Sequence, residues 1–140
     1  MPMESKERPA PKTVLNRTMP IRVIVVDDDH GCVTTVYNML ERLGYDVAAA
    51  NCGLAAIHCF RKYRYDLVVT ALSMPNMDGH TLAGWIKQNF EKAQVIVMAE
   101  SNLPELREYK DNRSVDAWLF KPINVDQMSN VLSKIIHIEN

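Results

Sequence analysis

Charged groups able to handle a phosphoryl oxygen or a hard cation fall at the ends of apolar runs. Asp27-Asp28-Asp29 closes the run Ile21–Val26, and Lys121-Pro122 closes Val115–Phe120. Between them the run Asp66–Ala71 passes into Leu72-Ser73-Met74-Pro75-Asn76-Met77-Asp78-Gly79, a loop punctuated by proline and glycine. Carboxylates can ligate a hard cation and an ammonium can neutralise phosphate oxygens, so together they form the shell of a phosphoryl-transfer site. Forming an acyl phosphate also needs a carboxylate oxygen to attack phosphorus. The middle run ends in Ala71, whose methyl group cannot do so. Thr70 and Ser73 flank it, but neighbours along a strand point to opposite faces. Asp27 and Asp28 repel one another when both are ionised, so Lys121 is expected to pair with one of them and close the site.

The elements that must position these groups are legible as alternating patterns. Ile21–Val26 is a β-branched run suited to a strand covered on both faces. Gly31–Leu43 places Val33, Val36, Tyr37, Leu40 and Leu43 at helical spacing, with Gly44 as its terminator. Tyr45–Ala50 reads as a second strand and Gly53–Tyr63 as a second helix. Asp66–Ala71 is a third strand, and Asp78 is the expected N-cap of a third helix carrying Leu82, Trp85, Ile86 and Phe90 inward. Gln94–Ala99 is a fourth strand, Leu103–Asp111 a short charged fourth helix, and Val115–Phe120 a fifth strand. The last helix starts at Asn124 or Asp126 and turns Met128, Val131, Leu132 and Ile135 inward. Strands alternating with helices predict an α/β domain, a five-stranded parallel sheet with five helices on both faces. Ligands of such sheets bind beyond the carboxyl ends of the strands, where the acidic run, Ala71, Ala99 and Lys121 all fall.

Composition excludes several classes. With 140 residues, 47% hydrophobic, 24% charged and a net charge of −1, the chain reads as one soluble domain with no general affinity for nucleic acid. No apolar run reaches the ~20 residues of a membrane span, and no basic recognition helix is present. Residues 1–20 hold four of the seven prolines and carry Lys6, Arg8, Lys12 and Arg17 against Glu4 and Glu7. This +2 stretch is expected to be a disordered tail before a domain at residues 21–137. Cys32, Cys52 and Cys59 show no metal-ligand spacing and are expected as buried free thiols, which suits a cytoplasmic location. His30, His58, His80 and His137 are too scattered for a ligand set, and Asp29 suits a solvated helix cap.

With these motifs in place, the chain resembles the receiver domain of two-component response regulators. The resemblance covers Ile21–Ile136 and rests on four pieces: Val25-Val26-Asp27-Asp28-Asp29, Thr70 to Gly79 with its Met-Pro-x-Met-Asp-Gly, Val95-Ile96-Val97-Met98-Ala99, and Trp118-Leu119-Phe120-Lys121-Pro122. It implies the flavodoxin-like receiver fold, phosphorelay signal transduction, and an aspartate phosphoacceptor in the place of Ala71. It implies Asp27, Asp28 and the main-chain carbonyl of Ser73 as Mg²⁺ ligands, and Lys121 as the partner of the acceptor and its phosphate. The switch hydroxyl falls at Ala99, or at Met98 in the alternative alignment, and neither residue has one. Trp118 takes the place of the switch aromatic, and the Lys121–Pro122 bond can be cis as in the family.

These residues lead to the expectation of a stand-alone pseudo-receiver. It is not an enzyme, has no cofactor beyond weak Mg²⁺ binding at most, and has no nucleic-acid or membrane partner. It acts by protein–protein interaction or self-association through the face of the fourth helix, fifth strand and fifth helix, including Leu103, Leu106, Tyr109, Trp118 and Phe120. The vestigial pocket is Asp27, Asp28, Ala71, Ala99 and Lys121. The rival expectation is a phosphoacceptor response regulator in which position 71 was changed from Asp to Ala.

Overall fold

The computed structural model describes residues 20–100 and 113–136. In chain order the described elements are β1 (Arg22–Val26), α1 (His30–Arg42), β2 (Asp46–Ala50), α2 (Gly53–Lys62), β3 (Leu67–Ala71), α3 (Gly79–Asn89), β4 (Gln94–Glu100), β5 (Ala117–Lys121) and α4 (Val125–Ile135). The expected helix near Leu103–Asp111 lies outside the described residues, so α4 here is the C-terminal helix. The strands form one parallel sheet in the order β2-β1-β3-β4-β5. The order reverses between β1 and β3, which places the switch point of the sheet beside the carboxyl ends of those two strands.

Each side of the sheet buries its own core. Ile24, Val26, Val68, Val95 and Val97 face α2 and α3, where Phe60, Leu82 and Ile86 fill the space. Val23, Val25, Val69, Ile96, Met98 and Leu119 face the other side, packed by Val36 and Leu40 of α1 and Met128 and Leu132 of α4. Consecutive residues alternate between the two clusters, as a pleated strand requires. β1 and β3 are central and buried on both faces, so they read as unbroken apolar runs.

Local chemistry sets the helix starts. Asp29 accepts from the Cys32 N–H, Asp78 from Thr81 and Asn124 from Gln127, each satisfying a donor that the first turn leaves free. Gly44 follows α1 with φ 99°, a left-handed conformation that ends the helix at little cost. The three cysteines are free, but they are half-buried rather than buried as expected. Trp85 packs half-buried against the α2/α3 core, its ring tilted against Phe90, which in turn lies against Phe60.

Candidate functional site

The site forms where β1, β3 and β5 end. Asp27 follows the last residue of β1 and is 1% exposed. Its main-chain N–H donates to the Ala50 carbonyl at 3.2 Å, which continues the β1–β2 ladder by one step. Its side chain lies on the α1/α4 side of the sheet and is held by three groups. Lys121 Nζ donates to Oδ2 at 3.0 Å, and the Asp29 N–H donates to Oδ1 at 3.0 Å. The Cys32 thiol in the first turn of α1 is the third donor.

The charges respond to this arrangement. Burial pushes the Cys32 thiol up, and the hydrogen bond to the Asp27 carboxylate and that carboxylate's charge push it further, to about 12. Burial also works against the Lys121 ammonium. The hydrogen bond to Asp27 and its charge outweigh burial, and the lysine is held above its ordinary value. Lys121 is therefore a firmly protonated cation, already committed to Asp27.

Ala71 ends β3 and is 1% exposed. Its carbonyl accepts from the buried Thr70 hydroxyl at 3.0 Å. A Cβ on Gly79 would run into that same carbonyl, so the loop closing back on β3 has room only for glycine there. Thr70 pairs in register with Val26 and Val97, both of the α2/α3 core, so Ala71 points to the side of Asp27 and Lys121.

The expected residues are thus brought together in part. Asp27, Ala71 and Lys121 share one end and one face of the sheet. Asp28 and Ser73 stand at the same end and are exposed, while Asp29 is occupied as a helix cap. Ala99 is displaced from the expectation: it belongs to the α2/α3 core, on the opposite face from Ala71. The β4 residue in register with Ala71 is Met98, and it faces the α1/α4 side. Trp118 pairs with Val97 and packs half-buried against the α2/α3 core, as does Phe120. Leu103, Leu106 and Tyr109 lie outside the described residues. The Lys121–Pro122 bond is cis.

Two contacts leave no signature in sequence spacing. Cys32 sits one turn into α1, which puts its thiol back over the acidic run. Asp116 makes the other. Its Oδ2 accepts from the Val95 N–H and from Lys87 Nζ, each at 2.7 Å, which ties the start of β5 to β4 and α3.

The donor set fits Mg²⁺ poorly. A hard cation prefers anionic oxygens, but one Asp27 oxygen is engaged by an ammonium and Ala71 offers no side-chain oxygen. Among the described residues no three acidic, His or Cys side chains cluster in a way that could hold a metal.

Comparison with known proteins agrees with this architecture. The response regulator receiver domain family matches residues 23–133, and the chain belongs to that family. It is 26% identical over 118 residues to the two-component response regulator ARR10 of Arabidopsis thaliana, covering 83% of this chain and 21% of that protein. It is 30% identical over 120 residues to the sensor protein EvgS of Escherichia coli K12, covering 84% of this chain and 10% of that protein. The chain therefore spans about a fifth and a tenth of these relatives. The chemotaxis protein CheY4 of Vibrio cholerae superposes with a TM-score of 0.77 at 23% identity, over 84% of this chain and 99% of that one, and shares the fold. The protein is a receiver domain of two-component signalling. None of its described helices is long and apolar enough to cross a membrane.

Proposed function

We propose that this receiver domain does not accept phosphate and signals through protein contacts alone. The observation that carries the reading is a methyl group at Ala71 beside a Lys121–Asp27 ion pair of 3.0 Å. The buried methyl supplies no nucleophile, and the cation that would meet an acceptor carboxylate is already neutralised. Met98, in register with Ala71, has no hydroxyl to follow an incoming phosphate. Chemistry and readout are thus lost together, and the pocket is held in one state. Mg²⁺ binding through Asp27, Asp28 and the Ser73 carbonyl is weak. Contacts then run through the β5 face with Trp118 and Phe120 to a protein partner or a second copy.

Incubation with a small phosphodonor and Mg²⁺, followed by intact-mass measurement, tests this. The unaltered chain is expected to gain no phosphate, while Ala71→Asp gains one. A phosphate on the unaltered chain would refute the reading. Failure of Ala71→Asp to label, in a folded variant, would show that the lost nucleophile is not what silences the site.

A further inference from the structure

A groove of about 500 Å³ opens between α1 and α2 at the carboxyl ends of β1 and β2. Its floor is apolar, with Val33, Ala49, Ala50 and Ala55, and its polar wall carries Asp28 together with His30 and Asn51. Asp28 is exposed and makes no ion pair with a described residue, since Lys121 is taken by Asp27. Leu54, one residue before the floor residue Ala55, is 66% exposed. The groove thus offers small apolar residues beside an uncompensated carboxylate. The complementary occupant is a short apolar stretch flanked by cations.

The chain contains one in Arg8-Pro9-Ala10-Pro11-Lys12. Prolines need no partner for a main-chain N–H and hold an extended shape, so such a stretch can lie on an apolar floor at small cost. Reach decides whether it can arrive there. Pro20 stands at the foot of β1 and Asp27 at its head, roughly 23 Å apart at a strand rise of about 3.3 Å per residue. Ala10 precedes Pro20 by ten residues, a span of up to about 33–36 Å. Arg17 precedes it by three and reaches only about 10 Å. Lys12 precedes Pro20 by eight residues and spans up to about 26–29 Å, so Arg8 and Lys12 can flank the groove, whereas Arg17 cannot.

We propose that the α1–α2 groove is the docking site of this chain's own Arg8–Lys12 stretch, which covers the acidic end of the domain in cis. A partner that takes the groove must displace it. This cover is independent of whether position 71 can be phosphorylated.

Zero-length carbodiimide cross-linking of the full chain tests it, using a mixture of isotope-labelled and unlabelled protein. The expected product joins the Lys12 amine to Asp28 or Asp29 within one molecule, with a yield that falls as salt rises. Arg8→Glu combined with Lys12→Glu is expected to shift the amide resonances of Ala49, Asn51 and Ala55, and Arg17→Glu to leave them in place. A cross-link only between molecules would seat a second copy in the groove and overturn the proposal. Groove resonances unmoved by the double variant, or moved equally by Arg17→Glu, would also overturn it.

Discussion

Replacing Lys121 with Met removes the charge and keeps most of the stem, so it isolates the Asp27 pair. At 3.0 Å and an effective dielectric of ~20, the gross attraction is about 5–6 kcal/mol. Removing one partner of a fully buried pair typically costs about 3–5 kcal/mol, because the other charge is left buried. Here the Lys121 side chain is 22% exposed, and Asp27 keeps the Asp29 N–H and the Cys32 thiol as donors. The expected loss is therefore about 2–3 kcal/mol, below the fully buried figure. Urea unfolding reads this as a midpoint lowered by roughly 1–3 M, given a slope of about 1–3 kcal/mol/M for a small domain. Asp27→Asn combined with Lys121→Met should cost less than the sum of the two single changes, since neither charge is then stranded. The pH dependence has a definite sign. The folded-state pKa of Lys121 is raised above 10.5, so the pair's contribution is complete below pH 10.5 and is lost as pH rises through the folded value. A loss smaller than ~0.5 kcal/mol at pH 7, or strictly additive single changes, would refute the view of the pair as the closure of this site.

Other outcomes follow from the same contacts. Cys32, pushed up to about 12, should be alkylated about 500-fold more slowly at pH 9 than a thiol at the ordinary 9.0, and Asp27→Asn should speed it by removing the carboxylate that holds the proton; equal rates in both proteins, read by mass spectrometry, would contradict the Cys32–Asp27 contact. Its raised value also means that stability present below pH 9 declines between 9 and about 12, a decline that Cys32→Ala should lessen in pH-dependent unfolding. Gly79→Ala should destabilise the domain by about 1–3 kcal/mol, because its methyl would meet the Ala71 main-chain carbonyl rather than a side chain that can yield; an unchanged melting temperature would contradict this. Asp116→Ala should cost about 1–2 kcal/mol through the lost Val95 hydrogen bond and Lys87 bridge, with amide exchange at Val95 accelerated; unchanged protection there would sink the assignment.

The order of the elements and the residue that ends β3 are both legible along the chain. β-Branched apolar runs such as Val23–Val26 and Leu67–Val69 suit strands covered on both faces, and Asp29, Asp78 and Asn124 cap helices through contacts three residues away. Local order carries these signals, so they are readable in one dimension, and so is the absence of a carboxylate at Ala71. The face that each strand-end residue occupies is set by packing in three dimensions. Alternation turns Ala99 into the α2/α3 core and leaves Met98 in register with Ala71, and a shift of one residue in the reading exchanges the two. Only the tertiary structure chose Asp27 over Asp28 for Lys121, across 94 residues of chain, and set the Cys32 thiol against the same carboxylate. Sequence spacing is blind to such pairs, because charges meet through space, and the distance between them is fixed by how the sheet is ordered and how α1 packs on it.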